Sequence, residues 1–129
     1  MQLGTGVRPI VLSGDGAFQM TGPEIAQAPR HGLNPIVVVM NNGGWQIFRP
    51  IVPEPRLLDI PPWPYAELAR LWGGKAFRVE RAQDLREALA AAARIQSFVL
   101  IEARIDPNDL SPISRKYIQA SGRKGRGRG

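Results

Sequence analysis

The sequence predicts a three-layer α/β/α domain on a mainly parallel sheet, and three observations carry that expectation. Four short strand-like runs, at about 8–13, 35–40, 76–80 and 98–103, alternate with stretches of helical periodicity. Strand, helix, strand, helix is the signature of a parallel sheet. The run Pro35-Ile36-Val37-Val38-Val39-Met40 is apolar at every position, as a strand buried on both faces should be. Finally, Gly14-Asp15-Gly16 and Asn41-Asn42-Gly43-Gly44 each follow an apolar run and are separated by 24 residues, Ala17 to Met40. That length holds a turn, one helix and one strand, the minimum for a parallel crossover. Both motifs then lie at the carboxyl edge of the sheet, where open α/β sheets bind ligands.

Each element has its own reason. Residues 1–6 are too few to form an element before the first strand, which would start the sheet with an unpaired edge. Thr21-Gly22-Pro23-Glu24 reads as a capping box opening a helix that runs to about His31 and stops at Gly32, with a kink or early end at Pro29. His31 is the only histidine, and its helix-terminal position suits a solvated or dipole-stabilised side chain better than a proton shuttle. Six of the 12 prolines (50, 53, 55, 61, 62 and 64) fall between Phe48 and Pro64 and exclude regular structure over most of that span. Such a loop is either a stiff surface connector or a cover for the site.

Pro64 opens a helix with Tyr65, Leu68, Ala69 and Trp72 on one face, ended by Gly73-Gly74. The next helix is the cleanest, with Leu85, Ala88, Leu89, Ala92 and Ala93 at core spacing. After the last strand, Pro107 and Pro112 break the chain, and a helical turn near 113–119 precedes the tail.

Composition bounds what remains. At 129 residues and 43% hydrophobic content the chain is long enough for one core, with residues 1–119 as that domain. Without cysteine there is no disulfide, thiolate metal site or thiol nucleophile. No run approaches ~18 apolar residues and no charged segment precedes an apolar one at the start, so the expectation is a cytoplasmic protein that does not enter membranes. The net charge of +6 belongs to the end of the chain: no acid follows Asp109, and residues 1–114 hold 11 basic and 11 acidic side chains. The stretch 120–129, which includes Arg123, Lys124, Arg126 and Arg128, reads as a disordered basic tail. It lacks interleaved aromatics, so nucleic-acid binding is not expected as a main function.

The chemistry at the carboxyl edge is specific. Asp15 offers a hard carboxylate, Asn42 an amide oxygen and the Gly43-Gly44 turn a backbone carbonyl. Oxygen donors suit Mg²⁺, which shares its shell with phosphates. Gly14 and Gly16 leave room for backbone N–H groups to approach a phosphate at a helix start. The residues therefore point to a metal–diphosphate site.

At these positions the chain resembles the thiamin diphosphate (ThDP) enzymes, whose cofactor motif is G-D-G followed by N-N. The wording Gly14-Asp15-Gly16-Ala17-Phe18-Gln19-Met20-Thr21 and Asn41-Asn42-Gly43-Gly44-Trp45 is most similar to the 2-keto acid decarboxylases, above all those acting on indolepyruvate and phenylpyruvate. The likeness runs over about residues 3–118 and implies a partial C-terminal cofactor-binding domain. It implies that Asp15, Asn42 and the Gly44 carbonyl hold Mg²⁺ (or Ca²⁺) on the ThDP diphosphate. It also implies that Gly14, Gly16, Ala17, Trp45, Gln46 and Ile47 line the cofactor.

Pyruvate decarboxylases carry a catalytic glutamate three residues after the aromatic that follows N-N. Here that position is Phe48, an apolar residue as in the aryl-pyruvate branch, so Phe48 is expected to border the substrate. The family's activating glutamate belongs to an N-terminal pyrimidine-binding domain that this sequence lacks. That domain, or a homologous subunit, is the implied partner beside the 2-keto acid, and the chain by itself is expected to be inactive. No catalytic acid or base can be assigned within it.

Other classes fit less well. An enzyme of the acetolactate synthase or benzoylformate decarboxylase type shares the motif. A Rossmann-like nucleotide binder lacks support, because residues 13–19 contain no G-x-G-x-x-G and no Walker lysine. A non-catalytic fragment whose basic tail touches nucleic acid is the third class.

Overall fold

In the computed structural model four strands form one parallel sheet: β1 (Ile10–Gly14), β2 (Ile36–Asn41), β3 (Lys75–Val79) and β4 (Val99–Arg104). The structure describes residues 6–49, 52, 54–109 and 111–116. The strand order is β1-β2-β4-β3, with Ile10 opposite Ile36, Ile36 opposite Val99 and Lys75 opposite Val99. β2 and β4 are therefore central, and their seven buried aliphatic side chains form the middle of the core. Each such side chain contributes about 1.5–3 kcal/mol before chain entropy is set against it.

Helices cover both faces. On one, α1 (Asp15–Thr21) and α2 (Tyr65–Leu71) place Phe18, Tyr65 and Ala69 over Val37, Val39 and Leu100. Phe18 and Tyr65 meet edge to face, centroids 5.6 Å apart. On the other, α3 (Ala82–Ala92) sets Ala88 and Ala92 over Ile36, Val38, Val99 and Ile101. Ile10, Leu12 and Met40 stay exposed, so the β1 side of the sheet is less covered than the β4 side.

Three local expectations are corrected. The first helix begins at Asp15, directly after β1, and Thr21 is its last residue. Thr21 makes no side-chain cap, so no capping box forms at Thr21–Glu24. Pro23 has no N–H to continue an α ladder, and the chain goes on as 3₁₀ turns over Gly22–Gln27 and Pro29–His31. Ala93 caps the end of α3 and is exposed, because the apolar stripe ends with Ala92. A helical turn covers 112–116; residues 117–119, the tail at 120–129, and Pro50 and Pro53 lie outside the described residues.

One long-range tie holds the start of β1. The Arg8 guanidinium donates to the carbonyls of Asn34, Ala92 (2.6 Å), Ile95 (2.8 Å) and Ser97 (3.0 Å). It thereby gathers carbonyls from just before β2 and from the end of α3, where the Ala92 carbonyl also accepts from the Ile95 N–H (3.0 Å). Desolvation lowers the Arg8 pKa from its ordinary value.

Candidate functional site

The crossover brings Gly14-Asp15-Gly16 and Asn41-Asn42-Gly43-Gly44 to one edge, since β1 ends at Gly14 and β2 at Asn41 in adjacent register. Asp15 is 2% exposed, and its carboxylate organises the turn. Oδ2 accepts from the backbone N–H groups of Asn42 (3.1 Å), Gly43 (2.7 Å) and Gly44 (3.1 Å). Oδ1 accepts from the Gly16 N–H at 2.8 Å. Three donors crowd Oδ2, whereas Oδ1 keeps a lone pair.

The Asn42 side chain differs. Its Oδ1 is buried and has no hydrogen-bond partner. Buried acceptors are normally paired, so this oxygen has capacity for a further partner. The Gly44 carbonyl accepts from the Gln46 N–H (2.9 Å) and retains its second lone pair. An anionic oxygen at the start of α1 and an amide and a carbonyl oxygen of the turn that closes on it are thus present at one edge, a donor set that fits a hard cation. Among the described residues no group of three His, Cys, Asp or Glu side chains could hold a metal.

The glycines have separate causes. A Cβ on Gly16 would lie 2.7 Å from Cε2 of Trp45, so the indole needs that space. Gly44, at φ 156°, would drive a Cβ to 2.2 Å from the Leu58 carbonyl oxygen. Gly14 is different, since a Cβ there would meet nothing within 4 Å and no neighbour in the chain requires its absence.

The proline-rich connector is packed against this turn. The Trp45 N–H donates to the Leu58 carbonyl (2.9 Å), and Gly44 forms an isolated antiparallel bridge with Asp59. Gln46 is buried; its Nε2 donates to the Asn42 carbonyl (2.9 Å), and its Oε1 accepts from Arg49, which also pairs with Asp59. Ala17, Ile47 and Phe48 are exposed at this edge, with the Phe48 ring 6.3 Å from that of Trp45. His31 sits before the amino end of β2, at the opposite edge of the sheet.

Arg49 and Asp59, which brace Gln46, are participants that sequence reasoning missed, and it missed the buried Glu102 behind Asn41 as well. Their partners lie 10 residues away for Arg49–Asp59 and 61 for Asn41–Glu102, with no motif to announce them.

Comparison with known proteins decides the family. Residues 2–103 match the model described as the C-terminal TPP binding domain of thiamine pyrophosphate enzymes. The chain belongs to that family. As a thiamine pyrophosphate enzyme domain it is similar to the indole-3-pyruvate decarboxylase of Azospirillum brasilense, 38% identical over 119 residues that make up 92% of this chain and 22% of the relative. It is 41% identical over 100 residues to an alpha-keto-acid decarboxylase of Mycolicibacterium paratuberculosis, covering 74% of this chain and 18% of that one. A solved structure, the thiamine diphosphate-dependent 4-hydroxybenzoylformate decarboxylase of Rhodococcus jostii RHA1, superposes with a TM-score of 0.73 at 27% identity, over 81% of this chain and 21% of the other. The chain thus spans about a fifth of the length of these relatives.

Proposed function

We propose that this chain supplies the diphosphate- and metal-holding side of a ThDP site in an enzyme that decarboxylates 2-keto acids without oxidation. The orphaned Asn42 Oδ1 beside the Asp15 carboxylate carries this reading. Asp15 Oδ1, Asn42 Oδ1 and the Gly44 carbonyl would hold Mg²⁺ or Ca²⁺, with the diphosphate completing a shell that protein oxygens alone leave open. Gly14, Gly16, Ala17, Trp45, Gln46 and Ile47 would line the cofactor, and the open space at Gly14 supports a close approach there. When bound, ThDP supplies the electron sink for loss of CO₂. The chain's own part is to neutralise and orient the diphosphate and to keep water from it.

The test is ThDP binding by the 129-residue chain, followed by thermal shift with and without Mg²⁺. Asn42→Ala removes an oxygen with no partner, so it should abolish the Mg²⁺-dependent shift while leaving the unliganded melting temperature nearly unchanged. A shift equal to that of the unaltered chain, or one given equally by NAD or ATP, overturns the reading. The same preparation should release no CO₂ from phenylpyruvate, because the relatives' remaining length includes the region proposed to complete the site, an N-terminal pyrimidine-binding domain or a homologous subunit.

The proposed substrates are aryl-pyruvates such as indolepyruvate or phenylpyruvate. Phe48 supports this, as an exposed aromatic at the site edge adds apolar surface and no charge. In an enzyme completed by the missing region, Phe48→Glu should shift the kcat/KM ratio towards pyruvate. A preference for pyruvate with Phe48 in place would overturn it. An enzyme of the benzoylformate decarboxylase or acetolactate synthase type is the second reading, favoured by the likeness to the Rhodococcus structure. Turnover of benzoylformate in preference to phenylpyruvate would select it.

A further inference from the structure

Glu102 is the other buried carboxylate among the described residues, and nothing in the proposed site uses it. It stands on β4 opposite Val39. Its Oε1 accepts from Asn41 Nδ2 and its Oε2 from Arg78 Nε, both at 2.9 Å, with Arg104 Nε 3.7 Å from Oε1. The two close partners are donors and address different terminal atoms, so both of those atoms must accept, as in a carboxylate and not in an amide, whose second atom is a donor. Asn41 is the last residue of β2, and its carbonyl accepts from the Ile105 N–H at 2.9 Å. Its side chain and backbone are therefore both anchored beyond its own strand. The next three residues provide the N–H groups that close on Asp15.

We infer that Glu102 is a positioning residue: through the Asn41 amide it fixes the direction in which the chain leaves β2, and so holds the 42–44 turn on Asp15 with the Asn42 oxygen at the cation position. The last step rests on the proposed ThDP–metal site, whereas the hold on the turn rests on the contacts alone. The Tyr65 phenol supports a shared environment for the two carboxylates. Burial raises its pKa most, the Gln19 hydrogen bond opposes this, and the charges of Asp15 and then Glu102 raise it further. Residues that orient metal ligands from behind commonly matter almost as much as the ligands themselves.

A donor–acceptor swap tests the inference in the 129-residue chain, read by hydrogen exchange at the amides of Asn42, Gly43 and Gly44. Asn41→Asp sets a second carboxylate against Glu102 and should speed exchange at these three amides about tenfold or more relative to those of Val37 to Val39, the scale of one charge-assisted hydrogen bond. Adding Glu102→Gln restores a matched pair, since its amide nitrogen donates to the new aspartate and its oxygen accepts from Arg78. Exchange should then return close to the original rate at unchanged net charge.

Unaltered exchange in Asn41→Asp, no recovery in the double variant, or acceleration spread evenly over β2 and β4 overturns the inference. Should Asn41→Asp fail to fold, Asn41→Ala takes its place in the same comparison, with the same faster exchange expected. Asn41→Ala should also weaken Mn²⁺ binding in the presence of ThDP by about 10–100-fold. Undiminished Mn²⁺ affinity there overturns the link to the cation. If the unaltered chain does not bind Mn²⁺ with ThDP, the cofactor reading and that link fall together, and the exchange data still decide the hold on the turn.

Discussion

Two buried carboxylates, Asp15 and Glu102, sit on the same helix-covered side of the sheet and are satisfied by opposite means. Asp15 accepts from four backbone N–H groups, which are neutral dipoles. Glu102 faces the side chains of two arginines, Arg78 and Arg104, and one amide. Dipoles solvate an anion without cancelling it, whereas cations cancel it. The negative charge at Asp15 thus remains to be balanced from outside, and that at Glu102 is already balanced. This difference is the physical ground for proposing a cation at one carboxylate and not at the other.

The largest expected break in this contrast is at Asp15. Asp15→Asn removes the charge and sets an amide donor against backbone N–H groups that now meet an acceptor, so it should weaken Mg²⁺ binding with ThDP by more than the roughly 10–100-fold cost of losing an outer partner. Calorimetric titration measures it, and affinity within about tenfold of the unaltered chain would show that the charge is not what holds the ion.

Arg78→Met probes the compensated carboxylate. Its effect should fall on stability, lowering it by about 1–3 kcal/mol, below the ~3–5 of a fully buried pair because Arg78 is half exposed and Arg104 remains. Denaturant unfolding reads this, and Mg²⁺ affinity should change far less than in Asp15→Asn.

The smallest effect concerns Tyr65, which lies near both groups. Its phenol pKa is raised above 10.0, chiefly by burial, so the folded state favours the neutral form. The resulting stability is present below about pH 10 and is lost as the pH rises through the folded value. Tyr65→Phe should flatten that alkaline loss in a series of melts. An unchanged slope would mean that Tyr65 is not the group responsible.

The sequence made one of these carboxylates legible and hid the other. Asp15 lies between two glycines at a strand end, and the length of the crossover places it beside Asn42 without any knowledge of packing. The sheet was legible for the same reason, because Ile36 to Val39 and Val99 to Ile101 are apolar at consecutive positions. Glu102, by contrast, follows Leu100-Ile101 as any charged strand terminus could. Its burial depends on Arg78 and Asn41 arriving from other strands, 24 and 61 residues away in sequence. The start of α1 was obscured by competition, since Thr21-Gly22-Pro23-Glu24 has the residues of a cap but follows a turn of helix that Asp15 has already begun. Local patterns disclose elements, and contacts between distant strands have to be seen.

The Arg8 clamp bears on the order in which the molecule assembles. Three of its carbonyl partners, on Ala92, Ile95 and Ser97, lie 84 to 89 residues downstream. During synthesis the first strand leaves the ribosome long before any of those carbonyls exists. It can pair with β2 early, but it is locked only after α3 has ended and β4 has begun. The β1 segment is thus secured only by residues made well after it, and contacts of such long sequence separation are the slow ones in folding.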